Sequence, residues 1–68
     1  MSHKKYDLVG IDGNAFSIMG YVERAMRREG IGKEARDSYL EDAMSDDYDH
    51  LLMVSMEMIE RLNDSSEE

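Results

Sequence analysis

Tyr48, Leu51, Leu52, Ser55, Met58, Ile59 and Leu62 recur at intervals of three and four residues over two heptads, and this repeat constrains the fold more than any other feature of the chain. Such spacing belongs to an amphipathic α-helix. A helix of this kind draws most of its stability from whatever covers its apolar stripe. The cover must come from a chain of only 68 residues, enough for one domain. A domain this small removes only about 60% of its accessible surface from water. Ordering it costs roughly 1.5 kcal/mol per residue. Disulfides, metals, self-association or very regular helices usually offset that cost. The chain has no cysteine, so disulfides and thiolate metal sites are excluded. It has no proline and seven methionines, a composition that suits helices.

Two further helices are expected ahead of the repeat. Ala15, Ile18, Val22 and Ala25, widened by Met19 and Met26, predict a helix over residues 14–29. Asp12 or Asn14 can cap it, and Gly30 stops it just after Arg27 and Arg28, where the helix dipole favours cations. Gly20 costs about 1 kcal/mol in a helix interior, which a close helix–helix approach would justify. Ala35, Tyr39, Leu40, Ala43 and Met44 form the apolar side of a second helix over residues 33–44. Ser45 or Asp46 caps the third, over residues 47–63. Met53, Val54 and Met56 fall off its main stripe and are expected to form a second buried face, against the N-terminal segment or a partner. The segment 5–11 alternates weakly and reads either as one short strand paired with another copy or with the C-terminus, with Val9 and Ile11 on the same face, or as an extended arm lying on the helices. The expected fold is therefore mainly α, a compact three-helix unit with a short extended or β N-terminal arm. Residues 1–64 form a single helical domain in this reading, after a frayed start at 1–4, and residues 65–68 a disordered acidic tail. No secretory signal or transmembrane segment is evident, and the compartment expected is the cytoplasm.

Charge divides the chain. Residues 1–36 hold seven Lys/Arg against five Asp/Glu, a balance of +2; residues 37–68 hold one Arg against eleven Asp/Glu, a balance of −10. Such an acidic half repels nucleic-acid phosphate and anionic membrane, and attracts a basic surface on another protein. It also keeps a small protein soluble.

No constellation carries catalytic chemistry. Asp46, Asp49 and His50 offer oxygen and imidazole donors for Mg, Mn or Zn. Adjacent helical residues diverge, however, and the acids also serve a helix N-terminus. His50 has no nucleophile motif beside it. Asp12-Gly13-Asn14 lacks the alternate acids of a calcium loop and the lysine of a phosphate loop. Arg24, Arg27, Arg28, Lys33 and Arg36 form a basic cluster without interleaved aromatics, better suited to pairing with the acidic half, within or between subunits, than to nucleic acid.

Three strings carry a resemblance: Leu8-Val9-Gly10-Ile11-Asp12-Gly13-Asn14-Ala15-Phe16, Arg24-Ala25-Met26-Arg27-Arg28, and Ala43-Met44-Ser45-Asp46-Asp47-Tyr48-Asp49-His50-Leu51-Leu52. Over roughly residues 6–54 the chain resembles a family of small hypothetical proteins of bacteria, phages and other mobile elements. The family has no assigned activity, so the resemblance implies a setting and not a mechanism. Its members end soon after the third helix in an extended, mixed acidic and apolar segment. This chain continues with Ile59-Glu60-Arg61-Leu62, which tells against strand pairing between the two termini.

The sequence thus predicts a non-enzymatic protein-binding module with no cofactor and no metal. Its partner is another protein, basic in character, and neither nucleic acid nor membrane is bound directly. One concrete version is a mobile-element inhibitor acting as a nucleic-acid-mimicking decoy. Asp42, Asp46, Asp47, Asp49, Glu57 and Glu60 are the expected partner-binding residues. Val9, Ile11, Met53 and Met56 are the residues expected to serve self-association, with a homodimer as its product. The alternatives are a metal-dependent protein using Asp46, Asp49 and His50, and a self-associating accessory protein.

Overall fold

A computed structural model describes residues 5–66, with side-chain surroundings defined as far as Asp64. Three α-helices follow one another: α1 (Ala15–Arg28), α2 (Lys33–Ala43) and α3 (Tyr48–Ser66). Each packs on the other two. No helix among the described residues is long and apolar enough to cross a membrane.

Local sequence accounts for each boundary. The Asn14 side chain accepts from the Phe16 N–H at 2.8 Å, satisfying one of the free donors at the start of α1. At the other end the chain enters the left-handed region at Gly30 (φ +83°), which a residue with a Cβ enters at a cost. There the Ile31 N–H donates to the Met26 carbonyl and the Gly30 N–H to the Arg27 carbonyl. This pair of bonds is a Schellman motif. Ile31 then packs against the core. α2 begins at Gly32 without a side-chain cap. α3 is capped by Asp47, one residue later than expected, its carboxylate accepting from the His50 N–H at 3.0 Å. Ser45 instead donates to the Asp42 carbonyl, and Asp46 accepts from the Asp47 N–H. α3 continues through Ser66, past its expected end and through the first two residues of the expected tail. Residues 1–4 and 67–68, named above as frayed start and tail end, lie outside the described residues.

The core is built from one stripe of each helix. Ile18, Met19, Val22, Ala25 and Met26 come from α1, Tyr39 and Ala43 from α2, and Leu51, Ile59 and Leu62 from α3. Tyr6 of the N-terminal segment completes it. Ser55 lies in the α3 stripe, fully buried, and its hydroxyl meets the Tyr39 hydroxyl at 2.6 Å. The polar atoms of two core residues thereby satisfy each other and tie α2 to α3. Burial raises the Tyr39 pKa.

Several expectations need correction. Residues 5–13 contain no strand, and Gly10 (φ +90°) turns the chain with the Ile11 N–H donating to the Leu8 carbonyl. That turn separates the two residues placed on one strand face: Val9 is 85% exposed, while Ile11 packs against the core. The N-terminal segment is held by a side chain instead of a strand. Asn63 accepts from the Tyr6 N–H at 2.8 Å and donates to the Tyr6 carbonyl at 2.9 Å. One amide side chain therefore supplies the two bonds a neighbouring strand would make. Gly20 makes no close helix contact, since a Cβ there would meet nothing within 4 Å. In α2, Ala35 is exposed. Met44 is also exposed, because it is the C-cap at which the chain leaves the helix. Of the three off-stripe residues of α3, Val54 packs on the core, while Met53 and Met56 are exposed within the chain, beside Leu8 and Val9, so the N-terminal segment does not bury them.

Candidate partner-binding surface

The six expected partner-binding carboxylates separate into two groups with different work. Asp42, Asp46 and Asp47 belong to the corner between α2 and α3. Asp47 caps α3, and Asp46 holds the Asp47 N–H at 2.8 Å. Asp42 faces His50, whose Nε2–H donates to the Asp42 carbonyl at 3.0 Å and to its carboxylate at 3.1 Å. The hydrogen bond to Asp42 is the chief reason the His50 pKa is raised above 6.5. His50 is therefore turned toward Asp42, away from the metal-site role considered for it with Asp46 and Asp49. Among the described residues no group of three His, Asp or Glu side chains is placed to hold a metal ion.

Asp49, Glu57 and Glu60 form the second group. Their side chains make no ion pair or hydrogen bond among the described residues. All three line a groove of about 730 Å³ between the N-terminal segment and α3. Its apolar surface includes Leu8, Val9, Leu52, Met53, Met56 and Ile59. Met53 and Met56 are 53% and 60% exposed. Asp7 lines the groove on the N-terminal side. Three of the four residues expected to serve self-association, Val9, Met53 and Met56, thus meet in one groove, while Ile11 is absent from it. The groove forms because α3 carries two stripes. Leu51, Ser55, Ile59 and Leu62 face the core, and Asp49, Met53, Met56 and Glu60 repeat at four, three and four residues along the next face. Asn63 fixes the opposite wall by holding the Tyr6 backbone. Sequence reasoning left Asn63 and Asp7 out of the site. The signal for Asn63 was present: a lone amide one helical turn after Ile59 at the edge of an apolar stripe.

The basic cluster makes local contacts. Arg27 pairs with Glu23 at 3.2 Å, Arg36 with Glu23 at 3.6 Å, and Lys33 with Asp37 at 2.8 Å. None of these pairs reaches a carboxylate of α3, so the expected internal pairing of the basic cluster with the acidic half stops at Asp37 among the described residues. Arg24, Arg27 and Arg28 line a separate depression of about 550 Å³ with Lys5, Tyr6 and Tyr21. There the Tyr6 hydroxyl donates to Glu29 at 2.5 Å, and Lys5 pairs with the same carboxylate at 2.9 Å. The hydrogen bonds from Tyr6 and Lys5 lower the Glu29 pKa, while burial raises that of Tyr6.

No family model, curated protein or solved structure matches the chain.

Proposed function

We propose that the chain is a small, non-enzymatic protein-binding module of the cytoplasm, whose acidic half engages a basic protein. The observation that supports this most is the state of Asp49, Glu57 and Glu60. They surround exposed apolar side chains and have no cationic partner among the described residues. Among the described residues Glu57 and Glu60 make no bond that holds the fold, and Asp49 contributes only its charge at the first turn of α3. They create a field that steers an oppositely charged surface into contact and sets its orientation. The exposed methionines beside them add unbranched, polarizable contacts that adapt to the surface they meet.

The resemblance to proteins of phages and mobile elements suggests the setting: an inhibitor that offers negative charge to a nucleic-acid-binding protein in place of phosphate. The experiment is capture on the immobilised chain from host lysate at about 50 mM salt, followed by competition with duplex DNA. Recovery of a basic nucleic-acid-binding protein, released by DNA and by about 300 mM salt, is the expected result. A captured partner whose affinity is indifferent to both overturns the proposal. Self-association through Val9, Met53 and Met56 is the second reading, favoured by their exposure in one groove.

A further inference from the structure

We infer that the groove between residues 6–9 and the outer face of α3 receives a basic amphipathic helix of a partner protein. The inference rests on the reading of the chain as a binder of basic proteins and adds the shape and register of what binds.

Three features of the groove select this occupant. The first is charge. Along α3 Asp49 stands at one end and Glu60 one turn before Asn63 at the other, Glu57 lies between them, and Asp7 stands on the opposite wall. Every charged side chain lining it is a carboxylate. An occupant with Lys or Arg beside its apolar face gains from each, whereas a neutral apolar segment does not. The second is length. Asp49 and Glu60 are eleven residues apart on α3, which is about 17 Å at 1.5 Å per residue. That span matches about three turns of a partner helix, with an apolar stripe over Met53 and Met56 and cations one turn to either side. The third is the absence of a sheet edge. An extended peptide gains its affinity by adding a strand to an open edge, and no strand exists among the described residues. A helix satisfies its own backbone and needs only side-chain contact.

A second copy of this chain fits less well. Two grooves meeting face to face set the carboxylates of one, Asp7, Asp49, Glu57 and Glu60, against those of the other, and the chain as a whole carries a charge of −8. Like charges juxtaposed in this way oppose the pairing.

The test uses the full chain and two synthetic peptides of 15 residues, both composed of Lys and Leu. In one, the Leu residues share a helical face; in the other, the same residues are scrambled so that they do not. Fluorescence anisotropy is expected to show the helical peptide binding one to one, at least tenfold more tightly than the scrambled one. Met53→Ser/Met56→Ser should weaken it at least tenfold with helix content unchanged by circular dichroism, since both side chains are already exposed in the free protein. Asp49→Asn/Glu57→Gln/Glu60→Gln should both weaken it and flatten its salt dependence.

Equal binding of the two peptides, or an unchanged affinity in the double serine variant, overturns the groove as the docking site. If that binding still responds to salt and to the triple neutralisation, the acidic-surface reading stands without the groove. Failure of both peptides to bind also overturns the inference, while the lysate experiment tests the broader reading separately. Sedimentation that shows a concentration-dependent dimer, lost in the double serine variant, overturns it in favour of a second copy as occupant.

Discussion

Asn63 does the work of a missing strand, and its position explains how an N-terminal segment with no regular structure stays on the helices. It is buried and holds both the N–H and the carbonyl of Tyr6. Removing it leaves two buried backbone groups without these partners, and an unsatisfied buried group costs about 1–3 kcal/mol. The whole domain is stabilised by only about 3–10 kcal/mol at its size. Asn63→Ala is therefore expected to lose about 2–3 kcal/mol in urea unfolding, with faster exchange of the Tyr6 amide. Asn63→Asp, which keeps the acceptor and loses the donor, should not rescue it. A loss below about 0.5 kcal/mol would show that the buried side chain of Tyr6 and its bond to Glu29 suffice to hold the segment. Gly20 gives the opposite case. It lies inside α1 with open space where a Cβ would stand. Gly20→Ala is expected to stabilise the fold by about 0.5–1 kcal/mol, seen as a Tm raised by several degrees. A lowered Tm would reveal a contact at Gly20 that the structure does not contain.

The helices were legible from periodicity and punctuation. Asn14, the Gly30 stop and the spacing from Ile18 to Met26 each act within a few residues of themselves, so neighbours in sequence suffice to read them. The N-terminal segment was not legible, because its alternation resembles a strand while Gly10 at φ +90° breaks the register. The outward turn of Met53 and Met56 was hidden for a related reason: periodicity tells which residues share a face but not which face finds a cover. The corner between α2 and α3 was half legible. The acids were read as helix-start charge, but the Asp42–His50 contact spans eight residues and depends on how the chain turns. That corner has a pH dependence with a definite sign. The His50 pKa is raised in the fold, so its stabilising contribution is fully present below about pH 6.5 and lost as pH rises through the raised value. The stability difference between the native chain and His50→Ala is therefore expected to be larger at pH 5.5 than at pH 8.5 by denaturant titration. A difference that is equal at both, or larger at pH 8.5, contradicts the assigned interaction.

At the scale of the whole molecule, structure and charge are divided between the two faces of α3. One face closes the core through Leu51, Ile59 and Leu62 and through the Ser55–Tyr39 contact. The other presents Asp49, Met53, Met56 and Glu60 to the outside. The sequence located the carboxylates and their excess, because charge counts need no fold. It did not separate Asp42, Asp46 and Asp47, which build the corner, from Asp49, Glu57 and Glu60, which line the groove without an ion pair or hydrogen bond among the described residues. Within the second group Asp49 adds its charge to the first turn of α3, while Glu57 and Glu60 are idle in the fold. Thermal unfolding of Glu57→Gln/Glu60→Gln at low ionic strength tests this without reference to any partner. A Tm equal to or above that of the native chain is predicted, since neutralisation removes repulsion and breaks no internal pair. A Tm lowered by more than about 4 °C, equivalent to roughly 1 kcal/mol or less in a domain of this size, would show that these carboxylates hold the molecule together.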